Sequence, residues 1–149
     1  MSEHRLTKIE TLASDGLLTE LRAFLGANFS QLEIDTGLSI AVAYSHIDTA
    51  RHLLAIGADL NWADAQGAYY AAHNNELEGL RFAITNGVDV NVGDGSLLNT
   101  AVVTAYNEDD ITIIHWLLEN GADTSLLKKD IIESFGSPQI EKLIDSHSR

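Results

Sequence analysis

The sequence predicts an all-α protein, a helix-turn-helix solenoid that occupies residues 1–149 as a single domain. Three observations carry this expectation. Four glycines, Gly26, Gly57, Gly87 and Gly121, fall 31, 30 and 34 residues apart in similar settings: Leu25-Gly26-Ala27-Asn28, Ile56-Gly57-Ala58-Asp59, Asn86-Gly87-Val88-Asp89 and Asn120-Gly121-Ala122-Asp123. Self-similarity at such a period marks a repeat architecture. Each glycine follows an apolar stretch (21–25, 50–54, 80–84 and 113–118), where it is placed to end a helix in the left-handed conformation. Apolar, alanine-containing segments at 38–43, 68–72 and 97–103 recur after the first three glycines.

Those segments are the expected first helices, and the small residues Ala41, Ala71 and Ala101 would let each lie close to its neighbour. A polar bend follows at 44–46, 74–76 or 107–109, then a second helix over the apolar stretch, then a short extended connection. One such unit cannot bury its apolar face alone, so the units must stack into a continuous core. Three clear repeats span 35–61, 64–91 and 94–125, with capping repeats at 1–30 and 126–149.

Gly57-Ala58-Asp59-Leu60-Asn61-Trp62-Ala63-Asp64 resembles the G-A-D-V-N-A-x-D connection of the ankyrin repeat family, and Ser45-His46-Ile47-Asp48 resembles its G-H-x-E start of a second helix. The likeness covers nearly the whole chain and implies a rigid array with a concave binding surface. It departs from the family in three ways. The T-P-L-H tetrapeptide is replaced by Thr36-Gly37-Leu38-Ser39, Gln66-Gly67-Ala68-Tyr69 and Ser96-Leu97-Leu98-Asn99, without its proline and histidine. The connections after Gly57 and Gly87 are about three residues short of the family pattern, which would shorten its hairpin fingers. Extra residues around 103–110 imply a longer first helix or a protruding loop.

Composition narrows the function classes. With 45% hydrophobic residues in 149, the chain can bury one core. It has no cysteine, which removes disulfides and thiolate chemistry and agrees with a reducing compartment. Residues 1–13 lack the apolar run of a secretory signal, and no apolar stretch reaches bilayer-spanning length, so a cytoplasmic protein without membrane contact is expected. The formal charge is −13 and is unevenly placed: residues 23–127 hold fourteen acids against Arg51 and Arg81, a balance of −12. Such a field repels nucleic acid and attracts basic proteins, although solubility alone would also account for it.

No constellation asks for catalysis. The six histidines are scattered, none paired at i, i+4; His46 matches a helix-start position, and His52 and His115 fall on second helices. The run from Asp89 to Gly95 alternates oxygen donors like a calcium loop, but its sixth position is Asp94 and its twelfth is Thr100, so a tight turn at Gly93-Asp94-Gly95 explains it better. The neighbouring carboxylates Asp109-Asp110, and Glu76 with Glu78, lie in polar bends. Phosphate-cradle, dinucleotide and nucleophile-elbow motifs are absent. No enzyme activity, metal or cofactor is expected.

The expected contact residues follow from the resemblance and from residue type. Tyr44, His73 and Asn74 match the family's variable contact positions, with Tyr69 beside them, whereas Tyr70 is expected to be internal and Trp116 to belong to the core. Trp62 stands where the family has a small residue, either packed or serving as an anchor, since tryptophan and tyrosine dominate binding hot spots. Asp59, Asp64, Asp89 and Asp94 are expected near finger tips, and Glu108 in the extra segment. Together these imply a monomeric protein-interaction module, an inhibitor or immunity-type protein that neutralises a basic toxin, for instance a nuclease. The alternative is a regulatory adaptor or inhibitor of a cellular enzyme, with incidental charge.

Overall fold

Most helices in this chain are followed within a residue or two by one with positive φ, which the polar bends and repeat glycines supply at short intervals. The computed structural model describes residues 3–148. Among them are ten α-helices: α1 (Glu3–Ser14), α2 (Leu18–Leu25), α3 (Gln31–Ala43), α4 (Ile47–Ala55), α5 (Trp62–His73), α6 (Leu77–Thr85), α7 (Val92–Glu108), α8 (Thr112–Glu119), α9 (Lys129–Phe135) and α10 (Pro138–His147). A single 3-10 turn, Thr124–Leu126, precedes α9, and no strand occurs among the described residues. The protein is all-helical.

The two kinds of turn share one hydrogen-bond pattern. After α4, the Gly57 N–H donates to the Leu54 carbonyl and the Ala58 N–H reaches back to Leu53; Gly87 and Val88 repeat this after α6, and Gly121 and Ala122 after α8. This is the Schellman closure, and the three glycines take φ of +108°, +114° and +97°. The bends between first and second helices close in the same way with Ser45 (φ +59°) and Asn75 (φ +60°) at the left-handed position.

First helices pack in chain order, α1 on α3, α3 on α5, α5 on α7 and α7 on α9, while α2, α4, α6 and α8 each lie against the helix that precedes them. The core runs through this stack and includes Leu38, Leu53, Leu80, Leu97, Ile114 and Leu117. Ala41, Ala71 and Ala101 are buried, as their small size led one to expect. Closer still are two glycines. A methyl on Gly67 would sit 2.9 Å from the Ser39 backbone, and one on Gly79 would overlap the Val42 carbonyl oxygen.

Polar side chains then tie helices and turns together over long stretches of sequence. The buried Asp35 carboxylate accepts from the Asp59 N–H at 2.8 Å, and Asn91 accepts from the Asp123 N–H at 2.8 Å. Thr104 donates its hydroxyl to the Ala72 carbonyl at 2.8 Å, and the Ser45 hydroxyl accepts from the Gly79 N–H at 2.8 Å. At the N-terminal end, Ser30 and Glu33 form a capping box; the buried Glu33 also holds Arg5 at 2.6 Å, an ion pair with additional hydrogen bonds, as burial of a charge requires. His46 donates its Nε2–H to the Ser14 carbonyl at 2.7 Å, which joins α4 to the end of α1.

One expectation is corrected. The connections expected to be extended hairpin fingers are compact turns that run straight into α5 and α7. Asp59 and Asp89 accept from the N–H groups of Asn61 and Asn91, and residues 63–65 and 93–95 are left-handed, with φ between +55° and +88°. A connection three residues short cannot extend and return, so it coils instead. Gly93-Asp94-Gly95 does have the expected positive φ, but within this coil. Of the two forms expected for the extra residues near 103–110, the longer first helix is the one found: beyond its left-handed start, α7 runs on to Glu108.

Replacing Gly79 by alanine should destabilise the protein by about 2–3 kcal/mol, because the methyl must force α6 away from α3. Chemical denaturation checks this, and an unchanged midpoint would show that the helices can separate at no cost.

Candidate functional site

On α5, Ala65, Gly67, Ala68, Ala71 and Ala72 are buried, which turns Gln66, Tyr69, Tyr70 and His73 outward at i, i+3, i+4 and i+7. The outward rings touch one another. Tyr69 and Tyr70 meet edge to face at 5.2 Å, Tyr69 stacks on His73 at 6.4 Å, and Tyr70 meets His73 edge-on at 6.3 Å. Tyr70, expected inside, is 43% exposed, because the alanines and Gly67 occupy the whole inner surface of the helix.

This ridge separates two grooves. The first, about 300 Å³, lies between α3 and α5 and is lined by Ser39, Ile40, Ala43 and Tyr44 on one side and Gln66, Tyr70, His73 and Asn74 on the other. The second, about 350 Å³, lies between the starts of α5 and α7 and is lined by Ala63, Asp64, Gln66, Tyr69, Tyr70, Gly93 and Ser96. Gln66 and Tyr70 belong to both.

The structure therefore brings together Tyr44, Asp64, Tyr69, His73 and Asn74 out of the expected contact residues. Asn74 has a second task, donating its amide to the Ala43 carbonyl at 3.2 Å and so holding the floor of the first groove. Asp59 and Asp89 are exposed, yet each carboxylate caps its own turn. Asp94 is exposed in the left-handed coil before α7. Trp62 is half-buried at the start of α5 and lines neither groove. Glu108 is exposed at the opposite end of α7 from Asp94. Gln66 and Ser96 were not anticipated; for Gln66 the signal was the helical spacing 66, 69, 70, 73.

Charge is segregated across the helix pairs. No Lys or Arg occurs in α3, α5 or α7. Arg51 and Arg81 sit on α4 and α6, paired at i, i+3 with Asp48 and Glu78 at 3.1 and 3.4 Å, both pairs solvent-exposed and of little energetic weight. The grooved face thus presents acids and aromatic rings, His73 among them, with no Lys or Arg from its own helices.

Shifted ionisations belong to turns and helix ends. The hydroxyl and N–H of Thr112, helped by the Asn75 amide, hold the Asp110 carboxyl below its usual range. Ser125 does the same for Asp123. His147, raised chiefly by its 2.8 Å hydrogen bond to Glu119, secures α10 to α8, and the same bond lowers Glu119. Burial, then the charge of Arg22, lowers His52. Among the described residues no three His, Asp or Glu side chains are grouped to hold a metal ion, and no helix is long and apolar enough to cross a membrane.

No protein-family model matches the chain, and no curated protein matches it.

The division between capping acids and outward acids is measurable. Asp59→Ala should cost about 1 kcal/mol through loss of its turn hydrogen bond, with Asp59→Asn restoring most of it. Asp64→Asn should change stability by less than about 0.5 kcal/mol, since asparagine tolerates the left-handed backbone there. Equal costs at the two positions in thermal melts would contradict the distinction.

Proposed function

We propose that this chain is a non-catalytic protein-binding module, an ankyrin-type helical solenoid that grips a basic protein through the outward face of α3, α5 and α7. The observation that carries the reading is a ridge of exposed rings, Tyr69, Tyr70 and His73, flanked by two grooves on a face whose helices have no Lys or Arg. Exposed tyrosines offer large contact area at low entropy cost, and they supply the residence time of a complex. The −12 balance of residues 23–127 supplies rapid, oriented encounter with a positively charged partner.

The specific role we favour is inhibition: an immunity-type protein that covers the basic cleft of a toxin, for instance a nuclease, whose lysines and arginines serve to hold phosphates. An acidic binder competes for that cleft with complementary charge. The ankyrin reading is supported by the glycine-punctuated units, by the stacking of first helix on first helix, and by the buried small residues that let them approach.

Affinity capture from a cell extract of the source organism tests this with wild type and a Tyr70→Ala, Asp64→Asn, Asp94→Asn variant. Wild type should retain a basic protein at low salt, release it near roughly 0.5 M salt as screening shortens the field, and inhibit it stoichiometrically. The variant should bind at least about tenfold more weakly. Retention indifferent to both salt and the substitutions would overturn the proposal.

A further inference from the structure

The second groove has a composition that selects one kind of side chain. Its only charged lining residue is Asp64, and its walls include the rings of Tyr69 and Tyr70, 38% and 43% exposed. Neither the Asp64 carboxylate nor the Gln66 amide has a hydrogen-bond partner among the described residues, so both can turn to a ligand. The Ser96 hydroxyl already donates to the Val92 carbonyl at 3.1 Å, which leaves its lone pairs as acceptors. Gly93 and Ala63 at the mouth bring almost no side-chain bulk.

We infer that this groove is an arginine slot, seating one guanidinium of the basic partner between the starts of α5 and α7. The inference rests on the reading of this face as a binding surface and adds the chemistry it recognises. A guanidinium is planar, with five N–H donors and no acceptor. The groove meets it with acceptors: the Asp64 carboxylate for a forked pair, the Gln66 carbonyl and the Ser96 oxygen, with Tyr69 or Tyr70 as the aromatic surface on which the plane rests. A cation over an aromatic ring gains from the negative π face, and a planar one also stacks. A lysine ammonium has the charge without the plane or the fork. The absence of any Lys or Arg from α3, α5 and α7 means that no side chain of those helices competes for the site.

The test uses N-acetyl-arginine amide as the probe, with N-acetyl-lysine amide and the neutral isostere N-acetyl-citrulline amide at matched ionic strength, followed by NMR chemical shifts of the full chain. Saturable shifts at the amides of Tyr69, Tyr70 and Ser96 are expected with arginine, roughly fivefold weaker binding with lysine, and no saturation with citrulline. Asp64→Asn should weaken arginine binding by at least roughly threefold. Equal responses to lysine and arginine, or shifts spread over acids remote from the groove such as Asp48 and Glu78, would overturn it. Failure of the slot is separable from failure of the binding face: a captured basic protein released by Tyr44→Ala with His73→Ala, but held by Asp64→Asn with Tyr69→Ala, would overturn the slot and leave the face standing.

Discussion

Close approach of neighbouring helices is the constraint on which the rest of this structure depends. Gly67 lies against the Ser39 backbone and Gly79 against the Val42 carbonyl, while Ala41, Ala71 and Ala101 fill the remaining contact without bulk. With the interior of α5 given over to alanine and glycine, its large residues have only one direction left. Tyr69, Tyr70 and His73 point outward because the packing leaves no room for them inside, and the same packing sets the width of the grooves between α3, α5 and α7. The exposed ridge and its grooves are thus a by-product of how tightly the helices stack.

Short connections enforce the second feature. Those after α4, α6 and α8 leave the second helix through a Schellman closure and an aspartate-capped turn, followed before α5 and α7 by a left-handed coil of three residues. Left-handed backbone costs an L-residue about 1–2 kcal/mol, and the units offset it with long-range hydrogen bonds such as Asp35 to the Asp59 N–H and Asn91 to the Asp123 N–H. The coil that begins α5 also brings Asp64 to the rim of the second groove, so the same backbone that joins units places an acid at the proposed contact surface.

Much of this was legible in the amino acids. Gly57, Gly87 and Gly121 announced the turns because positive φ is a property of the residue itself, and the apolar spacing placed each helix because burial of one face is local in sequence. Tyr70 was misread for the opposite reason: which side of α5 is inside depends on its neighbours α3 and α7, and a helix with small residues on much of its circumference gives no amphipathic contrast to decide it. The compact form of the connections was hidden as well, since the family resemblance carries hairpins and only the missing residues argued against them. Asp59 and Asp89 were grouped with Asp64 and Asp94 as partner-facing acids, whereas their hydrogen bonds to Asn61 and Asn91 give them a conformational task that residue type alone does not disclose.

The central claim is that the face of α3, α5 and α7, and no other, meets the partner. Hydrogen–deuterium exchange of the chain alone and saturated with the basic protein it captures measures this most directly. Protection gained over residues 39–44 and 63–74, with 93–96, is the result the account requires. Protection confined to α4, α6 and α8, with those segments unchanged, would contradict it.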